Sequence, residues 1–156
     1  MSKMVDIEVI LDEKYVDPKV TIYAKERTEQ VDNILEAIEN VSGADFPLVP
    51  GINGKNMELL SQRDIVRIYT SGRKLIIQTD DNSYFSAKTL SNLETILNND
   101  RFIRISQSEI INIRKVKKFD ISYSGTIGVI FENGDRTWAS RSRVKDIKGI
   151  LKKYSE

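Results

Sequence analysis

The sequence predicts a mostly β fold with short helices, an α+β arrangement that is preceded by a small β-β-α unit. Short apolar runs separated by Gly, Asn and Asp fill most of the chain after residue 50. Apolar residues at helical spacing are confined to three short stretches. With 156 residues and 40% hydrophobic content, the chain can bury a core without disulfides or a structural metal.

The N-terminal unit is predicted from two alternating segments and one amphipathic stretch. Residues 5–9 and 19–24 alternate apolar with polar side chains, as a half-buried strand does, and Asp17-Pro18 before the second segment is a turn signal. Thr28 is placed to cap a helix, and Gly43 is placed to end it. The helix would bury the stripe Val31, Ile34, Leu35 and Ile38. A unit of this size would struggle to fold alone, so we expect it to dock on the rest.

A boundary is predicted near residue 50, where a Pro/Gly segment (residues 46–55) coincides with a change of charge. Residues 1–50 hold 5 Lys and Arg against 11 Asp and Glu, a net charge of −6. Residues 51–156 hold 19 against 12, a net charge of +7. We therefore expect an acidic regulatory or dimerisation unit over residues 1–50 and a basic domain over residues 51–156. A polyanion is the natural partner of the basic domain.

The basic domain shows strands joined by turns, with two helices. Asp80-Asp81-Asn82 separates two apolar runs and predicts a hairpin, and Asn133-Gly134 suits a type I′ turn and predicts another. Ser142 is a candidate cap for a final amphipathic helix that begins near Val144. The predicted strands are residues 64–69, 74–79, 83–86, 102–105 and 110–113, and a short helix covers residues 90–97.

The absence of two residue types argues against an enzyme. The chain has no histidine and no cysteine, which removes the commonest general base, the commonest metal ligand and any thiolate site. We predict no catalytic residue, cofactor or metal. No apolar run approaches the roughly 20 residues of a membrane helix, and the N-terminus lacks a signal core, so we expect a cytoplasmic protein that is not inserted in a membrane.

Three loops carry side chains suited to nucleic acid. Ser106-Gln107-Ser108, with Arg104 at its edge, offers hydroxyl and amide groups that can reach phosphate oxygens and base edges; a plain polar turn is the alternative. Gly72 allows a sharp turn that presents Arg73 and Lys74. The third loop follows Trp138, which we predict to be a core residue, with a platform for base stacking as the alternative. It carries Arg141, Ser142, Arg143 and Lys145 at a helix N-terminus, and a solvated helix start is the alternative.

In this order and spacing, the three loops and their flanking strands resemble the LytTR family of bacterial DNA-binding domains. The resemblance covers about residues 57–154. It is carried by Phe102, Arg104, Ser108, Ile110-Ile111 and Asn112, then by Asn133-Gly134 and Ser140-Arg141. It implies short antiparallel sheets that insert loops, with no recognition helix, into successive grooves of duplex DNA. Many family members have histidine where Arg73 and Ser106 stand, so the base preference of those loops stays open.

By motif position, the resemblance implies that Arg73 and Lys74 belong to the first contact loop. It places Arg104, Ser106, Gln107 and Ser108 at the second, and Arg141, Ser142, Arg143 and Lys145 at the third. Residues 1–50 are too few for the phosphoacceptor domain of a response regulator, so the chain looks like the small stand-alone members. That implies a homodimer on paired promoter repeats and an inhibitory membrane-protein partner. The alternatives are a non-enzymatic β-domain that binds RNA or single strands, or one that binds an acidic protein.

Overall fold

Two antiparallel sheets and three α-helices make up the described residues, which are 4–16, 18–42, 47–122 and 124–155 of the computed structural model. The larger sheet contains β1 (Val49–Asn53), β2 (Asn56–Leu60), β3 (Ile65–Ser71), β4 (Lys74–Thr79), β5 (Ser83–Ser86), β6 (Phe102–Ser106) and β7 (Glu109–Asn112). The smaller sheet contains β8 (Val116–Asp120), β9 (Gly128–Phe131) and β10 (Arg136–Trp138). The helices are α1 (Glu29–Ser42), α2 (Leu90–Ile96) and α3 (Val144–Ser155). The predicted fold class, mostly β with short helices, is confirmed.

The larger sheet brings together strands that are far apart in sequence. Its order is β2-β1-β5-β4-β3-β7-β6, so the β3–β4 and β6–β7 hairpins lie side by side. Ile68 of β3 is opposite Ile110 of β7, and Tyr69 is opposite Glu109. The smaller sheet has the order β10-β9-β8. Single 3-10 turns at Gln62–Asp64, Ile113–Lys115 and Arg141–Arg143 lead into β3, β8 and α3.

Strands β3 and β7 lie at the centre of the fold because both of their faces are buried. Ile110 belongs to a core that α2 covers, and its neighbour Ile111 belongs to a second core between the two sheets. Ile65 and Val66 of β3 divide between the same two cores. Successive strand residues point to opposite faces, so a continuous apolar run such as Ile110-Ile111 is what a doubly covered strand requires. The second core also takes Phe131 of β9 and Ile147 of α3.

The N-terminal unit follows the prediction only in its helix. Helix α1 is present, and the hydroxyl of Thr28 accepts a bond from the backbone N–H of Val31 at 3.4 Å, as a cap does. The two predicted strands are wrong: within the described residues 4–16 and 18–28 no strand forms. A strand needs a hydrogen-bonded neighbour, and neither segment pairs with the sheets or with the other. Asp17 and Gly43 lie outside the described residues.

Helix α1 is attached to the basic domain through Glu39. Its carboxylate lies 2.7 Å from the guanidinium of Arg101, which is 3% exposed, and 3.7 Å from that of Arg114. The expected docking of this helix is therefore present. Part of the Pro/Gly segment near residue 50 also joins the larger sheet, since β1 starts at Val49 and pairs with β2 and β5.

Two local details differ from the predictions. The hairpin at Asn133-Gly134 exists, but its loop has three residues. Phe131 bonds with Asp135 across it, and Gly134 takes the positive φ of 92° that such loops need. The final helix is preceded by the turn Arg141–Arg143, so Ser142 lies inside that turn and does not cap the helix.

Candidate nucleic-acid interface

The three predicted loops meet along one edge of the molecule. We call them the first loop (residues 71–74), the second loop (residues 106–108) and the third loop (residues 139–145), and together the contact edge. The backbone N–H of Thr70 donates to the carbonyl of Ser108 at 2.9 Å, which holds the first loop beside the second. The N–H of Ser140 donates to the carbonyl of Ile105 at 2.8 Å, which holds the third loop on the other side of the second. The order along the edge is therefore first, second, third.

The first loop is a tight turn between β3 and β4. Gly72 has a φ of 62°, a left-handed backbone conformation that residues with a side chain rarely adopt. This conformation lets a two-residue turn join β3 to β4. Arg73 and Lys74 are exposed. The ammonium of Lys74 lies 4.8 Å from the centre of the Phe85 ring. Within the described part of the chain, Arg73 makes no hydrogen bond or ion pair, so its guanidinium is available to a ligand.

The second loop is held rigid by Arg104. Its guanidinium donates to the carbonyls of Ser106 at 3.1 Å and Gln107 at 2.6 Å, and forms an ion pair with Glu94 of α2 at 3.2 Å. The hydroxyls of Ser106 and Ser108 lie 3.2 Å apart. The side chains of Gln107 and Ser108 are exposed, and Ser106 is half-buried. Arg104 is half-buried and already engaged, so its geometry is that of a support for the loop.

The third loop joins β10 to α3. The hydroxyl of Thr126 donates to the carbonyl of Ala139 at 2.9 Å, which ties the start of the loop to the segment before β9. Ser140 and Ser142 have hydroxyls 3.2 Å apart. Of its predicted contact residues, Arg141, Ser142 and Lys145 are exposed and Arg143 is half-buried. The contact edge thus presents Arg73, Lys74, Arg141, Arg143 and Lys145, and the three loops contain no acid.

Trp138 is not the core residue that we predicted. It is 42% exposed at the end of β10, directly before the third loop. Its ring packs over Gly128, where a Cβ would come within 3.2 Å of the ring. The guanidinium of Arg136 lies 5.7 Å from the ring centre. Trp138 is the last residue of β10, which is an edge strand of the three-stranded sheet.

A partly buried polar network lies behind the contact edge, and sequence reasoning missed it. Glu109, the first residue of β7, accepts a bond from the hydroxyl of Thr137 at 2.6 Å and pairs with Arg67 at 3.3 Å. Arg67 also donates to Gln78 at 2.8 Å, and the amide of Gln78 donates to Asp135 at 2.6 Å. The network therefore links β3, β4 and β7 to β10, the strand that carries the third loop.

Burial raises the pKa of Glu109, while the Thr137 hydroxyl and the Arg67 charge partly oppose that rise. The cause is the loss of solvation for a carboxylate that is only 8% exposed. The one sequence signal for this network is a charged residue directly before the apolar pair Ile110-Ile111, because the partners of Glu109 lie 28 and 42 residues away.

A cluster of potential metal ligands and a membrane-spanning helix are both absent from the part of the chain that the structure describes. Its acidic residues nowhere gather into a group of three or more able to hold a metal ion. None of its helices has the length and apolar character needed to cross a bilayer.

Comparison with known proteins points to one family. The sequence pattern of the LytTr DNA-binding domain matches residues 55–152. The transcriptional regulatory protein LytR of Staphylococcus aureus is 33% identical over 121 residues, which cover 77% of this chain and 49% of LytR. The sensory transduction protein LytT of Bacillus subtilis is 24% identical over 140 residues, which cover 90% of this chain and 56% of LytT. The chain thus spans about half the length of these curated relatives.

Two further proteins are matched over almost their whole length. An uncharacterized HTH-type transcriptional regulator of Staphylococcus aureus is 23% identical over 148 residues, which cover 95% of this chain and 99% of that protein. A solved LytTr DNA-binding domain from Bacillus cereus superimposes with a TM-score of 0.65 at 19% identity. That superposition covers 67% of this chain and 96% of the other, and it supports the fold.

Proposed function

This chain belongs to the LytTR family of DNA-binding domains, and we propose that it is a transcription regulator that reads specific duplex DNA sequences through the contact edge. The observation that carries the proposal is the pair of backbone bonds, Thr70 to Ser108 and Ser140 to Ile105, that align the three loops. Loops fixed side by side on adjacent strands can follow the surface of one duplex and enter successive grooves. Their shared positive charge matches the phosphates that flank those grooves.

We assign different roles to the side chains of the contact edge. Arg73, Gln107, Arg141 and Arg143 would face base edges or the adjoining phosphates, because guanidinium and amide groups can form paired bonds with bases. Lys74, Ser106, Ser108, Ser142 and Lys145 would mainly hold phosphates and so fix the register of the protein on DNA. Arg104 would act through the second loop, which it holds in place.

The biological setting proposed here follows from family membership. We propose a regulator in the bacterial cytoplasm that occupies paired promoter repeats as a homodimer and is restrained by a membrane-protein partner. Residues 1–50 would provide dimerisation or regulation and residues 51–156 the DNA-binding domain. The net charge of −6 on residues 1–50 supports this division, because an acidic unit is repelled by DNA.

Arg141→Ala tests the proposal once a bound sequence has been selected from a random DNA pool. If Arg141 makes a paired base contact, specific binding should weaken by about 1–3 kcal/mol, measured by gel shift or fluorescence anisotropy. Arg63→Ala is the matched control, because it removes the same charge just before the opposite end of β3. Unchanged affinity for Arg141→Ala in a folded protein would remove Arg141 from the site.

Binding to RNA or single strands remains the second candidate because two exposed aromatic rings lie beside cations. Phe85 is 45% exposed near Lys74, and Trp138 is 42% exposed near Arg136. Stacked bases on such rings are typical of single-strand binding. Competition between duplex DNA and single-stranded RNA separates the two functions. Preference for the single strand would favour the second one.

A further inference from the structure

The N-terminal segment leaves an unusual amount of apolar surface in solvent. Six large apolar side chains within residues 4–11 have exposed fractions between 49% and 92%; they are Met4, Val5, Ile7, Val9, Ile10 and Leu11. Val20 and Tyr23 are 61% and 94% exposed. So many large apolar side chains exposed in one segment indicate an interaction site.

The same segment has the pattern of strands but no strand partner. We call residues 5–11 segment A and residues 18–25 segment B. Segment A places Val5, Ile7 and Val9 at alternate positions, and segment B does the same with Val20 and Ile22. Within the described residues 4–16, the chain makes one backbone bond outside regular elements, from Tyr15 to Asp12 at 3.2 Å. A segment with strand alternation and unpaired backbone groups is a template for pairing with another chain.

The charges of segments A and B indicate that the other chain is a second copy of this protein. Segment A carries Asp6 and Glu8 and no cation, whereas segment B carries Lys19 and Lys25 and no acid. Pairing A with A would place acids near acids, while pairing A with B places opposite charges together, which stabilises neighbouring strands. In a two-fold dimer the A–B contact occurs twice, because each copy supplies both segments.

We propose that segment A of one copy pairs with segment B of a second copy, so that the N-terminal segments form an intermolecular sheet. This inference deepens the proposed homodimer and therefore rests on the proposed function. The pairing supplies the backbone bonds that each segment lacks in the single chain. It also buries the apolar residues that the single chain leaves exposed. The strands expected from the sequence at residues 5–9 and 19–24 would thus form only in the dimer.

Sedimentation of the full chain without DNA tests the proposal. The wild-type chain should form a dimer at micromolar concentration, and Ile7→Asp/Val9→Asp should raise the dissociation constant by about 100-fold or more, because it places carboxylates in the apolar face. Ile121→Asp is the matched control, since Ile121 is 63% exposed after β8 and should leave the dimer intact. A wild-type chain that stays monomeric, or a control that dissociates equally, overturns the proposal.

Reversing the charges tests which segments pair. Asp6→Lys/Glu8→Lys and Lys19→Glu/Lys25→Glu should each weaken self-association, because both contacts of each homodimer become repulsive. An equimolar mixture of the two variants should restore a dimer, because segment A of each copy then carries the charge opposite to that of segment B of the other copy. A mixture that dimerises no better than its components overturns A–B pairing between chains.

The test also separates this inference from the proposed function. A wild-type chain that dimerises but binds no DNA would support the pairing of segments and refute the function. A wild-type chain that binds paired repeats and is monomeric without DNA would support the function and refute the pairing of segments.

Discussion

Thr137→Val should reveal how strongly the polar network around Glu109 holds β10 to the larger sheet. The substitution keeps the shape of the side chain and removes the hydroxyl that donates to Glu109 at 2.6 Å. β10 has only three residues and leads directly into the third loop, so this bond helps to fix the loop relative to its neighbours.

The expected cost follows from the charge of the acceptor. A hydrogen bond to a charged group contributes about 1.5–3 kcal/mol to stability, against about 0.5–1.5 kcal/mol for a neutral pair. At neutral pH, Thr137→Val should therefore lower the free energy of unfolding by about 1.5–3 kcal/mol. In a Glu109→Gln background, where the acceptor is an uncharged amide, the same substitution should cost only about 0.5–1.5 kcal/mol.

The raised pKa of Glu109 should make the folded state less stable as the pH rises. Since the pKa of Glu109 is raised in the fold, the folded state holds this proton more tightly than the unfolded state does. The stabilising contribution of protonated Glu109 is therefore fully present below about pH 4.3, which is the pKa of an unfolded glutamate. That contribution is lost as the pH rises through the higher pKa of Glu109 in the folded state. Glu109→Gln should abolish this pH-dependent loss of stability, because glutamine does not titrate.

Urea unfolding followed by circular dichroism measures all four members of the double-mutant cycle. Thr126→Val is the matched control, because Thr126 donates to a backbone carbonyl and its cost should not depend on residue 109. Equal costs for Thr137→Val in the wild-type and Glu109→Gln backgrounds would refute the reasoning, because the hydroxyl would then not be bonded to a charged carboxylate.

Two further predictions concern the contact edge. Arg104→Ala should weaken DNA binding about 10-fold, because the second loop loses its clamp and must be ordered on binding. Arg104→Lys should not rescue it, since an ammonium lacks the planar fork; rescue by lysine would instead indicate a direct charge contact with DNA. Affinity should fall steeply with salt, and Lys74→Ala and Lys145→Ala should each reduce the slope of log K against log salt by about 1. A slope that both variants leave unchanged would remove these lysines from the phosphate contacts.

The sequence was most informative where structure is decided locally. The hairpins around Gly72 and Gly134 and the helix beginning at Leu90 follow from short-range turn and capping signals, and all three are present. Trp138 was predicted wrongly because burial depends on the position of its strand in a sheet, and β10 lies at an edge. The Gln78–Asp135 bond joins residues 57 apart in the chain and leaves no local signal.

In the N-terminal segment, by contrast, the sequence has the alternation of a strand, but the described residues 4–16 and 18–28 of the single chain form no strand. Residues 5–9 have strand alternation, yet a strand is stable only beside another strand. The pattern specifies which residues share a face and leaves the partner open. The loops of the contact edge could be located from the sequence, whereas their alignment depends on the Ser140 to Ile105 bond between distant elements.

The most direct test of the central claim is amide NMR of the labelled 17.9 kDa chain, titrated with its selected duplex. Reading of DNA by the contact edge predicts shifts that cluster at residues 71–74, 106–108 and 139–145, with little change at Arg63 or in α1. Shifts confined to one loop, or centred on α1 or the β1–β2 edge, would contradict the claim that three aligned loops read one duplex.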